Sequence, residues 1–435
     1  MSGGTMTQPL AFDARSSSGR VGAITFDKRL IGLTGLAIRG FLLSLVTFGI
    51  YRFWYITDLR RYFWNRTVID GSPGEYVGRG KELFLGFLVA LAVLIPIYAV
   101  IFVATLSVPS LAPFGSILSF AILFVLGQFA GYRGRRYRAS RTLWRGIRLG
   151  QDGSAITYAL MATGWALLTL VTLGLAFPFM RASLERYRIT HTLIGSSRMD
   201  SSARGRSLLL PWLSFYAVVL LPVLGALFAF LTATDFTLPA DLFVPKPGGK
   251  PSETIFNPAY AGTPVATYGA ILVGTLGLTA SLGFLLIPFY RARETRVFMN
   301  AASLGPVRLS STLKARQFYW PYIVYLLSII GLVVVLGLVI GGGAFLLQAK
   351  GPASGASWVI GLGLVVGYLG GALVFAVLYV RVITARLWAA VATTTTVADA
   401  EGLAAILASS RRVGSGLNEG LADALDVGGA LEVGF

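Results

Sequence analysis

The sequence has no cysteine and a single histidine, His191. The first absence removes disulfides, thiolate nucleophiles and cysteine metal sites together. The second excludes a zinc site built on two or three histidines. A serine–histidine triad would have to use His191, which stands among Arg186, Arg188 and Arg198 and reads as a polar loop residue. Charge is scarce too: 13% of residues, against about 25% in soluble domains. There is no phosphate-cradling P-loop, and no carboxylate pair lies within an apolar segment. No catalytic residue, metal or cofactor is expected, and the chain does not read as an enzyme.

What is abundant is apolar length. Of the 435 residues, 55% are hydrophobic. Runs such as Leu83–Leu106, Leu208–Leu231, Ala266–Tyr290 and Tyr322–Leu347 reach the roughly 20 residues that cross a hydrocarbon core. Eight apolar segments stand out, near 30–56, 82–108, 112–132, 155–180, 208–233, 265–290, 322–348 and 357–380. They predict an integral membrane protein.

The net charge is +18, and only six of the 37 basic residues are lysines. Because the arginines flank apolar helices, they point to topology and anionic lipid headgroups as partners, not to nucleic acid. The stretch 52–81 carries six basic residues against three acids, 133–154 seven against one, 181–207 six against two, and 291–316 six against one. The stretches 109–111, 234–264 and 349–356 lack this excess. The first four are expected in the cytoplasm, with both termini, and the last three outside. Segment 155–180 then lies between two cytoplasmic stretches, and 30–56 meets the same difficulty. Both are expected to be re-entrant or interfacial hairpins. The alternative is that both span and one basic stretch lies outside.

These two segments also resemble each other. Leu42–Ile69 aligns with Leu167–Ile194 at a constant offset of 125, with 11 of 28 positions identical. The fold class expected is therefore an all-α helical bundle of about six spanning helices plus two re-entrant segments, tandem-duplicated. Its organisation is a disordered lead (1–24, with no removable signal peptide), repeat unit 1 (25–154), repeat unit 2 (155–316), a third transmembrane hairpin (317–398) and a cytoplasmic tail (399–435). The β-branched runs Thr67–Val77 and Thr190–Met199 suggest small cytoplasmic β-hairpins. Glycines at four-residue spacing, Gly363, Gly367 and Gly371, suit close helix packing in lipid.

Several motifs resemble signatures of the bacterial YjgN family. They are Thr47-Phe48-Gly49-Ile50-Tyr51 with Trp54, Arg61-Tyr62 and Thr67 to Gly71; Tyr137 to Arg148; and Thr172-Leu173-Gly174-Leu175 with Pro178 and Arg186-Tyr187. The similarity covers roughly residues 25–400, with Trp144–Arg148 the most specific part. Phe179, Met180 and the long 234–264 loop depart from the pattern. The resemblance implies a multi-pass inner-membrane protein of undefined biochemical function, and it supplies no catalytic residue.

Arg39 is the sole charge in the interior of an apolar segment, Arg52 and Glu82 lying near the ends of theirs, and it can snorkel to headgroups. The absence of intramembrane carboxylates argues against an ion-coupled pump. The remaining candidate site is the arginine stretch Arg133, Arg135, Arg136, Arg141, Trp144, Arg145 and Arg148, since guanidinium pairs suit phosphate and aromatic side chains suit the headgroup level. Two functions stay open: binding or organising anionic, phosphate-bearing lipid, and uncoupled transport or a channel.

Overall fold

The computed structural model describes residues 20–108, 110, 112–248, 253–349 and 356–406. The disordered lead expected at 1–24 and the tail at 399–435 fall mostly outside these residues. The chain repeats one order of elements five times: strand, helical hairpin, strand. The first pass is β1 (Gly22–Phe26), α1 (Leu33–Val46), α2 (Arg52–Asn65) and β2 (Thr67–Ile69). The second is β3 (Ser72–Tyr76), α3 (Gly80–Ser107), α4 (Ala112–Ser140) and β4 (Thr142–Trp144). The third is β5 (Ile147–Gln151), α5 (Ala155–Val171), α6 (Phe177–Thr190) and β6 (Thr192–Ile194). The fourth begins with β7 (Ser197–Arg198) and β8 (Asp200–Ser201). Next, α7 (Arg206–Phe215) continues through a π-helical turn into α8 (Leu221–Ala233), and a small ribbon of β9 (Phe243–Pro245) and β10 (Thr254–Phe256) follows. The pass closes with α9 (Pro264–Ala301) and β11 (Ala302–Leu304). The fifth is β12 (Val307–Ser311), α10 (Ala315–Ala349), α11 (Ala356–Leu378), a π-helical turn at Tyr379–Thr384, α12 (Ala385–Thr394) and β13 (Thr395–Ala398).

The all-α expectation is corrected here. Besides the helices, the strands form one antiparallel 11-stranded sheet in the order β7-β6-β5-β4-β3-β2-β1-β13-β12-β11-β8. Its two edge strands, β7 and β8, are separated only by Met199, so the sheet comes round almost to a closed barrel. An isolated two-stranded hairpin is marginal in water. Placed side by side, the hairpins satisfy one another's edges. The turns have the required chemistry. Asp70-Gly71 and Arg145-Gly146 have positive φ at both residues, the conformation of a tight two-residue hairpin. The β1–β13 junction has neither a turn nor a helical hairpin to join it. There the first strand pairs with the last, Gly22 opposite Val397 and Ala23 opposite Thr396.

The helices stand on this barrel. Each contacts its neighbour in sequence, and α1 returns to pack on α11. Among the described residues, six helical stretches are long and apolar enough to cross a membrane: Gly80–Ser107, Phe114–Ser140, Arg206–Ala233, Pro264–Ala301, Ala315–Gly343 and Gly361–Thr394. Helices α1 and α5 are apolar but only 14 and 17 residues long. The arginine stretches expected as loops are largely helical feet. Helix α4 runs through Arg133–Arg138 to Ser140, and α9 continues to Ala301.

The joint between helix and strand is built the same way in four passes. Thr67, Thr142, Thr192 and Thr395 open the short strands, and each hydroxyl donates to the carbonyl four residues back at 2.8 Å. This satisfies a helix-end carbonyl that has no intrahelical partner. Trp64 Nε1 donates to Thr142 Oγ1 (3.0 Å), and Trp388 Nε1 to Thr67 Oγ1 (2.8 Å), tying neighbouring passes together. Phe26, Leu33, Phe63 and Trp388 form a buried cluster that joins the first pass to the last.

Candidate functional site

Two places in this framework have the form of a site. The first is inside the barrel. Strand side chains alternate inward and outward, as β1 and β12 show: their first, third and fifth residues are buried or half-buried, and the second and fourth are exposed. The inward residues surround a cavity of about 390 Å³, walled by Ile69, Trp144, Leu149, Met199, Leu309 and their neighbours. Leu403, from the short 3-10 helix Ala400–Ala405, reaches the same cavity. With Ala400 and Ile406 it packs against Trp144, Leu304, Val307 and Val397.

Arg135 and Glu185 also line this apolar cavity. They come from α4 and α6, about two turns above the strands. Glu185 Oε2 is held by Arg188 at 2.5 Å. Burial alone would raise the Glu185 pKa, but the positive charges of Arg188, Arg135 and Arg181 more than offset this and hold it below the usual value. Arg181 binds Glu294 through two hydrogen bonds, 2.6 and 3.0 Å, and Arg291 adds a second cation at 3.6 Å. Burial would lower the Arg181 pKa, and the Glu294 carboxylate instead raises it. Beside this cluster Tyr132, Tyr158 and Tyr187 pack ring against ring, with His191 on Tyr187 at 4.2 Å. His191 Nδ1 lies 2.8 Å from the Tyr187 carbonyl, at the C-terminal end of α6.

The arginine stretch singled out in the sequence is divided by the fold. Arg135 and Trp144 face the barrel cavity. Arg133 lies over the Phe129 ring on α4, and Arg136 is on the same helix. Arg141 contacts Glu82 at 3.1 Å, and the same carboxylate oxygen accepts from Tyr137 at 2.7 Å. Arg145 sits in the β4–β5 turn over Trp144 and binds the Asp70 carboxylate (2.9 Å), the Asp70 carbonyl (2.8 Å) and Ser72 (3.0 Å). Arg148 donates to the Ser140 carbonyl at 2.6 Å. The Arg145-Gly146-Ile147-Arg148 spacing therefore serves a tight turn and its anchoring.

The second place lies where the first and last passes meet. Lys28, Arg29, Arg316, Arg381 and Arg386 line one groove of about 690 Å³ together with Gln317 and Trp320. No carboxylate lines it among the described residues. The nearby Asp27 turns to Arg66 at 3.8 Å and accepts from the Arg29 backbone N–H at 3.0 Å. Arg381 belongs to the π-helical turn and donates to Thr34 Oγ1. Trp320 is 60% exposed beside these cations. Sequence reasoning missed this groove, because its residues come from positions 28, 316 and 386. The available signal was the basic residues flanking the first and last apolar segments.

No solved structure matches the chain. "Inner membrane protein YjgN" of Salmonella typhimurium is 26% identical over 116 residues, which is 26% of this chain. The match spans 27% of that relative's length. A family model described as "Bacterial protein of unknown function (DUF898)" matches residues 23–424. With nearly the whole length matched and six apolar helices of spanning length, the chain belongs to this bacterial family of membrane proteins, in which the YjgN resemblance had placed it.

Proposed function

We propose that this protein resides in the bacterial inner membrane and binds anionic, phosphate-bearing lipid in the basic groove at the foot of α10. The observation that carries this reading is the groove itself: five cationic side chains, an exposed tryptophan and no lining carboxylate among the described residues. Guanidinium groups pair with phosphate oxygens. Basic pockets between helices at the cytoplasmic face suit anionic headgroups, and tryptophan suits that depth. Arg133 and Arg136 at the foot of α4 extend the same basic collar. The role is one of binding or organising lipid, without catalysis. In this reading the barrel and both termini lie in the cytoplasm, because the arginine excess gathers at the barrel end of the helices.

Helices α1 and α5 are read as re-entrant. At about 1.5 Å per residue they reach about 21 and 25 Å, short of a hydrocarbon core of about 30 Å. Phe48, at the tip of the first hairpin, is 97% exposed, as suits insertion into lipid. The likeness of the 42–69 and 167–194 segments, with the fivefold recurrence of the element order, supports an origin by tandem duplication.

Uncoupled transport is the second reading. It is favoured by the thin packing of the spans, whose apolar windows are at most 11% buried, above a cavity inside the barrel.

Native mass spectrometry of the gently extracted protein tests the first reading. The native chain is expected to retain anionic phospholipid, and an Arg316→Gln/Arg386→Gln variant to lose it. An Arg145→Gln/Arg148→Gln variant gives the separate contribution of the β4–β5 turn. Equal lipid retention by native chain and groove variant would defeat the reading and make solute-flux assays the next measurement.

A further inference from the structure

We propose that the barrel interior is a binding site for one free fatty acid, with the chain in the apolar cavity and the carboxylate on Arg135. The site is separate from the basic groove, and neither proposal depends on the other.

The argument begins with what the cavity offers an occupant. Its volume of about 390 Å³ falls at the small end of ligand sites, which run from about 300 to 1,000 Å³. That suits a single chain better than a two-chain phospholipid. The walls are aliphatic and aromatic: Ile69, Trp144, Leu149, Met199 and Leu309. The threonines at the upper edge spend their hydroxyl protons on helix carbonyls. A sugar, nucleotide or hydrated ion would lose its water hydrogen bonds here without replacement.

One end of the cavity differs. Arg135, half-buried at the foot of α4, lines the cavity with its guanidinium near Glu185. Glu185, the one carboxylate in the lining among the described residues, is already held by Arg188 at 2.5 Å. Two guanidinium groups thus share one carboxylate, which leaves an excess positive charge in a low-dielectric space. Such a charge is costly unless an anion joins it. The complementary molecule is apolar along its length and anionic at one end. A monocarboxylate fits the guanidinium fork with two parallel hydrogen bonds.

Photolabelling with a diazirine-bearing long-chain fatty acid tests the site, using the full-length protein in nanodiscs and peptide mapping by mass spectrometry. Adducts are expected on Leu149, Met199 and Leu309. Unlabelled palmitate should compete, with its methyl ester weaker by about tenfold, as the loss of one charge-assisted contact implies. Arg135→Gln should reduce labelling about as much. Leu149→Phe with Leu309→Phe, which fills the cavity, should abolish the adducts without touching a charge. Arg316→Gln/Arg386→Gln should leave them unchanged, which separates this result from the fate of the groove. Adducts confined to lipid-facing residues such as Phe102 and Leu170 would overturn the proposal. So would labelling that survives the cavity-filling pair, or an ester that competes as well as the acid in the native protein.

Discussion

At the scale of single residues, the Thr-x-Gly motif shared by the two apolar repeats is a turn device. Thr47 and Thr172 end α1 and α5, and each hydroxyl donates to a carbonyl four residues back, at 2.6 and 2.8 Å. Each then accepts from a backbone N–H of the following helix, Tyr51 at 2.9 Å and Ala176 at 3.1 Å. Gly49 and Gly174 take φ of 87° and 95°. Replacing Gly174 by alanine is expected to lower stability by about 1 kcal/mol or more, because the side chain disfavours that conformation. Gly35, helical with open space around it, should gain about 1 kcal/mol on the same change. Thermal unfolding in detergent reads both, and equal shifts of one sign would contradict the turn assignment. Glu185 gives a prediction of another kind. Glu185→Gln leaves Arg135 and Arg188 without their carboxylate and should cost about 3 kcal/mol. The Glu185 pKa is depressed in the folded protein, so its contribution is fully present above the ordinary glutamate range. It is lost only as pH falls through the lowered value. A melting profile between neutral and strongly acidic pH should therefore converge for native chain and variant only at the acid end.

At the scale of elements, apolar length and charge were readable and the helix boundaries less so. The expected segments near 82–108 and 208–233 agree with spans Gly80–Ser107 and Arg206–Ala233. The expected segment near 112–132 stops short, because α4 continues through four arginines to Ser140. Arginine has good helix propensity, and the feet of the helices are held by ion pairs and by the barrel, so polarity did not end the helix. Segments 30–56 and 155–180 each resolved into a short apolar helix followed by a basic one. A cysteine-free chain allows the re-entrant reading to be tested directly. Cysteine placed at Phe48 or Leu173 should resist a membrane-impermeant thiol reagent added from outside. Labelling of either tip from that side would replace the re-entrant helices by full spans.

At the scale of the whole molecule, the sheet joins residues that are distant in sequence. Gly22–Phe26 completes the barrel against Thr395–Ala398, and Ala400 N–H donates to the Arg20 carbonyl at 2.9 Å. A pair of substitutions, Ala23→Cys with Thr396→Cys, puts two thiols on directly opposed residues. Such partners lie close enough to join. Mild oxidation should form an intrachain disulfide, visible as a mobility shift, while Ala23→Cys with Ser310→Cys, which belongs to the next strand across, should form it far less. Equal crosslinking of both pairs, or of neither, would argue against the closing register.

From the sequence alone came the membrane class of this chain, the places of the apolar runs long enough to cross, the clustering of positive charge beside them, and the likeness of two shorter segments. Those properties are local: a run of apolar side chains or a cluster of arginines keeps its meaning wherever the chain goes. The barrel, its cavity and the basic groove were decided only in three dimensions. Strands of two to five residues are too short to show a period of two convincingly, and their pairing depends on neighbours supplied by the next hairpin. Arg135 illustrates the limit. In sequence it is one arginine among seven between 133 and 148, and only the helix rotation and the closure of the sheet turn it toward an apolar interior while Arg145 and Arg148 are spent on the backbone and a carboxylate outside.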